Sequence, residues 1–204
     1  MNREQFIIDR FKIDTTKEPP YALRISRWKH LPFLMAEMEC KVGAEIGVEQ
    51  GRYSSSLLRK IPGLKLYCID CWESYEGYRM NKQNKVDLFY QRTIERLESL
   101  EGANYEIIKK YSMDAVKDFE DESLDFVFID GNHEFQSCTN DIAEWSKKVK
   151  KGGLIMGHDY ETRDAGYEQI EVEDVIKGWT HAKGIKVWFI TGELDRSNTW
   201  FWVK

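Results

Sequence analysis

The strongest constraint on the fold is an alternation of short apolar runs with segments of helical periodicity, which begins near residue 40. This alternation is typical of a parallel β-sheet flanked by helices, because parallel strands need a long crossover connection that a helix usually supplies. The run at residues 126–129 is apolar at every position, which indicates a central strand buried on both faces. The predicted strands comprise residues 42–48, 66–69, 105–108, 126–129 and 154–156.

The helical segments between these runs carry one apolar face each. After residue 134 the apolar residues are spaced three or four positions apart, so they lie on one buried side of a helix. In the tail, residues 187–190 and 199–203 flank a polar turn and predict a terminal hairpin. We therefore predict an α/β fold with about five parallel strands and an antiparallel edge. The residues of that helical face are Phe135, Cys138, Ile142, Trp145 and Val149.

Composition limits the class of protein. The chain has 204 residues, 13% of them aromatic, and 30 basic against 35 acidic side chains give a net charge of −5. This length suits one domain, and we predict a lead-in or cap over residues 1–40 followed by a main domain over residues 41–204. The acidic balance argues against non-specific binding of nucleic acid. The lack of a long apolar stretch or a signal-peptide pattern predicts a cytoplasmic protein without a membrane span.

Two of the four cysteines, Cys68 and Cys71, form a C-x-x-C motif. Such a motif occurs in zinc sites and in redox pairs, but no second close pair accompanies it here. The motif also ends an apolar run instead of beginning a helix. We therefore favour two reduced thiols near the end of a buried strand.

Polar and glycine residues follow the predicted strands at the point where each strand ends. In open α/β sheets ligands bind at the carboxyl ends of the strands, so these residues are the candidates for a site. Neither the dinucleotide fingerprint G-x-G-x-x-G nor a Walker A motif is present. The candidates are Glu45, Gly47, Gly51, Asp70, Asp114, Asp130, Asn132, His133, His158 and Asp159.

These residues resemble the motifs of one family. The pattern Glu45-x-Gly47-x-x-x-Gly51 is similar to motif I of class I S-adenosylmethionine-dependent methyltransferases, with Glu49 where a glycine would stand. The segments 124–135 and 152–160 resemble a small bacterial branch related to catechol and macrolide-sugar O-methyltransferases. The resemblance implies a Rossmann-like fold with a mostly parallel seven-stranded sheet, helices on both faces and a C-terminal antiparallel hairpin.

The resemblance also implies which residues bind S-adenosylmethionine. Glu45 would face the methionine amino end, and the two glycines would let the cofactor approach the backbone. Asp70 would bind the ribose, a role that its place after the second strand also favours. The implied cofactor residues are Glu45, Gly47, Gly51, Ser54, Asp70, Trp72 beside the adenosine, Asp114 beside the adenine, and Asp130.

Two catalytic arrangements remain open at this stage. Methyl transfer to a hydroxyl needs a base for its proton, and His133 can serve, with Asp130 and His158 completing the predicted catalytic set. Alternatively, Asp130 and Asp159 hold a divalent cation such as Mg²⁺, with His158 or Asn132 as a third ligand. Histidine in the set weakens the magnesium interpretation, because Mg²⁺ prefers oxygen.

We accordingly predict an O-methyltransferase that acts on a small-molecule or sugar hydroxyl, in a chain whose homo-oligomeric state is open. The acceptor pocket would be covered by residues 1–40 and by the 71–85 connection, which contains Tyr75, Tyr78, Arg79 and Met80. One alternative is methylation of nucleic acid or protein, which the acidic balance disfavours. Another is a non-catalytic cofactor-binding or scaffold protein.

Overall fold

The computed structural model describes residues 1–74, 82–166, 169–192 and 194–204. Its helices are α1 (Arg3–Phe11), α2 (Leu31–Glu37), α3 (Arg52–Lys60), α4 (Gln83–Glu98), α5 (Ser112–Ala115), α6 (Phe135–Lys148) and α7 (Val172–Lys183). Its strands are β1 (Tyr21–Leu23), β2 (Val42–Ile46), β3 (Lys65–Asp70), β4 (Asn104–Lys109), β5 (Leu124–Ile129), β6 (Val149–Gly157), β7 (Thr162–Asp164), β8 (Gln169–Glu171), β9 (Phe189–Thr191) and β10 (Trp200–Val203).

Within the described residues, one sheet of eight strands has the order β1-β9-β10-β6-β5-β2-β3-β4. The pairs of β2 with β3 and β5, of β3 with β4, and of β5 with β6 are parallel. β10 pairs antiparallel with both β6 and β9, which confirms the predicted C-terminal hairpin. The strands β7 and β8 form a separate two-stranded antiparallel ribbon.

The α/β prediction is confirmed. The strand β5 is buried at every position, as expected of a strand with helices on both sides. Its alternate side chains enter two different core clusters, Phe126 and Phe128 on one face and Val127 and Ile129 on the other. Because the pleat sends successive side chains to opposite faces, a continuous apolar run of this kind is consistent with a two-sided core.

The sheet has one strand more than the predicted seven, and its hairpin is not the edge. The additional strand β1 pairs parallel with β9 and lies outside it. β1 has only three residues, too few for an apolar alternation that a sequence pattern would reveal. The segment before residue 40 also supplies Ile7, Leu31 and Met35 to the core cluster that contains Phe126.

Other features bear on the predictions about location and thiols. Among the described helices, none is both long and apolar enough to cross a membrane. All four cysteines are free, and Cys68 is buried within β3. Of the predicted acceptor cover, residues Tyr75, Tyr78, Arg79 and Met80 lie outside the described residues.

Candidate active site

A cavity of about 990 Å³ opens at the carboxyl ends of β2, β3, β5 and β6. The loops after these strands form its walls, because the carboxyl ends of neighbouring parallel strands lie at the same edge of a sheet. Eight of the predicted site residues line the cavity: Gly47, Asp70, Trp72, Asp130, Asn132, His133, His158 and Asp159.

The loop after β2 adopts the left-handed backbone that the glycine motif requires. Gly47 has φ +87°, and a Cβ there would lie 2.1 Å from the backbone oxygen of Asp130. Glu49, which stands where the motif has glycine, also has positive φ, at 53°. A non-glycine residue with left-handed backbone angles costs roughly 1–2 kcal/mol. The loop therefore holds Glu49 in a backbone conformation that this residue disfavours. The Glu49 residue lines the cavity.

Asp70 joins the loops that follow β2 and β3. Its carboxylate accepts hydrogen bonds from the backbone N–H of Glu49 at 2.8 Å and of Trp72 at 2.9 Å. The Trp72 indole Nε1 donates in turn to the backbone oxygen of Glu49 at 2.8 Å. Burial raises the pKa of Asp70 above its usual value, although both N–H donors favour the charged form. Each carboxylate oxygen has a further lone pair that can accept from a ligand hydroxyl.

The predicted cofactor residues Glu45, Gly51 and Ser54 are not among the described residues that line the cavity. Glu45 is 1% exposed on β2, and its carboxylate accepts a hydrogen bond from the Ser54 hydroxyl. Gly51 packs with its Cα against Thr93 of α4, where an added Cβ would lie 3.1 Å from the Thr93 methyl carbon. The three residues therefore pack against the glycine loop on the side away from the cavity.

Burial of Glu45 makes the stability of the protein depend on pH. Burial raises the pKa of Glu45 to about 8, against the lowering by the Ser54 hydrogen bond. The native state therefore binds a proton more tightly than the unfolded chain, so the contribution to stability is present at low pH and is lost as pH rises towards 8. Between pH 5 and pH 8 we expect the free energy of unfolding to fall further in the wild type than in Glu45→Gln. The expected difference between the two falls is on the order of 3 kcal/mol.

Urea unfolding at both pH values measures this difference. The variant Glu98→Gln, at an exposed position of α4, controls for the loss of one carboxylate. An equal fall in the wild type and in Glu45→Gln would contradict the assignment of this dependence to Glu45.

Near the carboxyl ends of β5 and β6, two imidazoles and two carboxylates form another wall of the cavity. His133 Nε2 lies 3.2 Å from Asp159 Oδ2 and 3.6 Å from Asp130 Oδ1. His158 Nδ1 lies 3.2 Å from Asp159 Oδ1 and 3.7 Å from Asp130 Oδ1. The four side chains, which we call the His–Asp cluster, are 11–22% exposed. Acidic and imidazole groups therefore alternate around one small space.

The charges of this cluster are balanced by neighbouring cations. Burial would raise the pKa of Asp130, but the nearby His158 and His133 imidazoles and the Arg27 guanidinium hold it below its usual value. Burial acts in the same direction on Asp159, and the hydrogen bond and charge of His158 outweigh it, so the pKa of Asp159 is also lowered. Both acids are therefore carboxylates at neutral pH.

Asp114, predicted beside the adenine, does not reach the cavity. Its side chain is 62% exposed and pairs with Lys117 at 2.7 Å. Asp114 lies within the short helix α5, whose first two residues, Ser112 and Met113, line the cavity. A buried carboxylate that the sequence did not single out, Asp141 of α6, lies there instead and accepts a hydrogen bond from the Ser112 hydroxyl. Burial raises the pKa of Asp141 to about 6.

Sequence reasoning also missed Arg27 and Asp195. Arg27 Nη1 donates to Asp130 Oδ2 at 2.9 Å, and Asp195 binds the backbone beside Arg27. Arg27 lies 103 positions before Asp130, in a segment without a recognisable motif. No local pattern therefore marked either residue.

Three side chains of the described residues form a group with the dimensions of a metal site. One ligand atom each from Asp130, His133 and Asp159 lies within 4.8 Å of the others. The structure thus brings together the two predicted acids, and it joins His133 to them as the third ligand atom instead of His158 or Asn132.

Comparison with known proteins identifies the family. The model of a family described as "Methyltransferase domain" matches residues 44–160, which is more than half of the chain. Uncharacterized protein R132 of Acanthamoeba polyphaga mimivirus is 37% identical over 67 residues, a match that covers 31% of this chain and 30% of that protein. Uncharacterized protein y4gI of Sinorhizobium fredii is 30% identical over 61 residues, which cover 30% of this chain and 7% of that protein. The match therefore spans less than a third of either relative.

Solved structures share the fold at low sequence identity. A candidate caffeoyl-CoA O-methyltransferase from Staphylococcus aureus has a TM-score of 0.65 at 14% identity, with 98% of this chain and 99% of that chain covered. The O-methyltransferase TomG from Streptomyces achromogenes, in complex with SAM, has a TM-score of 0.60 at 18% identity, with 99% and 88% covered. An rRNA methylase from Streptococcus thermophilus has a TM-score of 0.61 at 13% identity, with 89% and 99% covered.

The names of these neighbours refer to different substrates, so the shared fold leaves the acceptor open. The family match covers β2 to the loop after β6, which carries the glycine loop, Asp70 and the His–Asp cluster. The chain therefore belongs to the methyltransferase domain family.

Proposed function

We propose that this protein is an S-adenosylmethionine-dependent O-methyltransferase that acts on a hydroxyl group of a small molecule. The observation that carries the proposal is a single cavity with two different walls. One wall presents Asp70, which is bound to the glycine loop, and the other presents the His–Asp cluster. A methyl donor bound at the first wall and a hydroxyl acceptor bound at the second would meet within one cavity.

The first wall suits the donor. The two lone pairs left on the Asp70 carboxylate suit the hydroxyls of a ribose, and Trp72 offers an apolar ring beside them. The Asp70 carboxylate also gives this wall a negative charge, which favours a ligand that carries a sulfonium and an ammonium group. The lining residues Ser112, Met113 and Asp141 lie further along this wall, where they can contact the adenine.

The second wall suits removal of a proton. Bound S-adenosylmethionine supplies an activated methyl group, so the protein has to place the acceptor in line and to take the hydroxyl proton. His133 accepts that proton on Nδ1, because Nε2 carries the hydrogen that is directed at Asp159 and Asp130. The acceptor oxygen bonds to the methyl carbon in the same step, and the carbon–sulfur bond breaks. The imidazolium is then stabilised by the carboxylates of Asp159 and Asp130 on either side. His158 holds Asp159 in place from the opposite oxygen.

We also propose that the same cluster can bind a divalent cation. Two carboxylates and one imidazole within 4.8 Å match the number and spacing of protein ligands in such sites. An imidazole nitrogen suits Mn²⁺, Fe²⁺ or Zn²⁺ better than Mg²⁺, which the sequence had suggested. A bound cation would lower the pKa of the acceptor hydroxyl and orient it. An imidazole bound to a cation is no longer a free base, so the two roles of His133 exclude each other.

The net charge favours a small acceptor over RNA. The chain carries −5, whereas sequence-independent binding to nucleic acid depends on basic residues that displace counterions. Transfer of a labelled methyl group to a panel of catechols, phenols and sugars, with bulk RNA and protein as comparison, tests the proposal. Labelling confined to RNA or protein would overturn the small-molecule acceptor.

Cofactor binding gives a prediction that separates two aspartates. We expect Asp70→Ala to weaken binding of S-adenosylhomocysteine about 10- to 100-fold, because each hydrogen bond to a charged group contributes about 1.5–3 kcal/mol. Asp114→Ala should change the affinity less than about twofold, since that side chain is exposed and pairs with Lys117. Isothermal titration calorimetry measures both.

Asp70 also holds two backbone N–H groups, so Asp70→Asn serves as a second variant that keeps the shape of the side chain. Equal affinities for Asp70→Ala, Asp70→Asn and the wild type would contradict the assigned ribose site. A wild-type protein that binds neither S-adenosylmethionine nor S-adenosylhomocysteine would end the proposed function itself.

A further inference from the structure

Arg27 reaches the His–Asp cluster from outside the matched domain. It lies in the loop between β1 and α2, whereas the family match begins at residue 44. Its side chain is 12% exposed, and Nη1 donates to Asp130 Oδ2 at 2.9 Å. Asp130 thus directs Oδ2 to Arg27 and Oδ1 to the two histidines. The N-terminal segment therefore contributes directly to the site.

Aromatic rings hold the guanidinium of Arg27 in place. Its central carbon lies 4.8 Å from the ring centre of Trp28, 5.2 Å from that of Tyr53 and 6.0 Å from that of Phe128. The Trp28 and Tyr53 rings meet edge to face at 5.5 Å. A planar guanidinium stacks on such rings and donates in a fixed direction, which a lysine ammonium does not reproduce. The direction of the Arg27–Asp130 bond is therefore set by packing.

The backbone at Arg27 is fixed by Asp195, which lies after β9. The Asp195 carboxylate accepts from the Ser26 hydroxyl at 2.8 Å and from the backbone N–H of Arg27. The Ser26 hydroxyl also accepts from the backbone N–H of Trp28 at 3.1 Å, which closes a tight turn. These hydrogen bonds join the segment before the matched domain to the segment after it, and Arg27 and Asp195 both line the cavity.

We propose that Arg27 is a positioning residue for methyl transfer, and that Asp195 holds it in place. Arg27 binds Oδ2 of Asp130, so that Oδ1 stays directed at His133 and His158. Loss of this partner would leave a buried carboxylate without the guanidinium that pairs with its Oδ2, free to turn away from the imidazoles. The inference rests on the proposed function, because it assigns Arg27 to the reaction at the His–Asp cluster.

The test compares Arg27→Met, Arg27→Lys and Asp195→Asn with Arg24→Met, a matched control at an exposed arginine of the same segment. Three measurements are made: the dissociation constant of S-adenosylhomocysteine, the ring ¹H–¹⁵N signals of His133 and His158, and kcat and KM for the acceptor found in the panel. Thermal unfolding shows whether each variant is folded.

We expect Arg27→Met to shift both imidazole signals and to lower kcat about 10- to 100-fold, as misplacement of a reacting group does. The affinity for S-adenosylhomocysteine should stay within about twofold, because Arg27 is not on the donor wall. Arg27→Lys should recover part of the lost kcat. Asp195→Asn should also lower kcat, by a smaller factor than Arg27→Met, and Arg24→Met should have the kcat of the wild type. If Arg27→Met does not fold, the other two variants carry the test.

Unchanged imidazole signals and kcat in folded Arg27→Met would overturn the proposal, as would an effect on the acceptor KM alone. If Arg27→Met loses thermal stability and Arg27→Lys recovers none of the lost kcat, Arg27 has a purely structural role. The imidazole signals report on Arg27 in the protein without a cofactor. Failure of the proposed function is therefore seen in a separate measurement, as absence of S-adenosylhomocysteine binding in the wild type.

Discussion

A His133→Ala variant is expected to lose about 10²- to 10⁴-fold in the rate of methyl transfer, the usual contribution of a positioned general base. Its affinity for S-adenosylhomocysteine should remain that of the wild type, because His133 lies on the acceptor wall, opposite Asp70. The reason for the large effect is geometric. His133 Nε2 lies 3.2 Å from Asp159 and 3.6 Å from Asp130, so these carboxylates stabilise the imidazolium that forms on proton transfer.

Single-turnover transfer of a labelled methyl group measures this rate without interference from product release. His181→Ala, at an exposed position of α7, is the matched control and should retain the wild-type rate. Titration with Mn²⁺ distinguishes the two roles of His133, since only a metal ligand is expected to lose Mn²⁺ affinity on substitution. A His133→Ala variant with the wild-type rate would rule out both roles and direct attention to His158.

Much of the fold follows from local patterns. The strand β5 is a continuous apolar run, and the helix α6 has a periodic apolar face. Both patterns agree with the packing of these elements, so local preference and tertiary contacts point to the same structure. The strand β1 could not be predicted in this way. Its three residues form a strand only because β9 supplies the hydrogen-bond partners, and β9 lies more than 160 residues later.

The same distinction applies to the candidate site. Asp70 and Asp130 follow predicted strands directly, and Asp159 follows one after two further residues, so the parallel sheet alone places them around one cavity. The motif could not show that Asp114 points into solvent, because helix α5 is one turn long and its direction depends on packing. Arg27 and Asp195 meet the site through a contact between distant segments, which no spacing rule describes. Their contacts are visible only in three dimensions.

A second large effect is expected from Gly47→Ala. The substituted Cβ would lie 2.1 Å from the backbone oxygen of Asp130, and a backbone atom cannot move aside as a flexible side chain can. The positive φ of 87° adds a cost of its own. We expect a loss of roughly 2–4 kcal/mol in the free energy of unfolding, the sum of a left-handed penalty and an overpacking penalty. Urea unfolding measures it.

The matched control is Gly63→Ala, because Gly63 has a similar φ of 70° but no heavy atom within 4 Å of the added Cβ. This variant should lose only about 1–2 kcal/mol, from backbone conformation alone. Displacement of the loop in Gly47→Ala should also move the N–H of Glu49 away from Asp70, so the affinity for S-adenosylhomocysteine should fall about tenfold or more. Gly63→Ala should keep the wild-type affinity. If the two variants behave alike, the close approach of Gly47 to Asp130 is not what shapes the donor site, and backbone conformation alone accounts for the requirement for glycine.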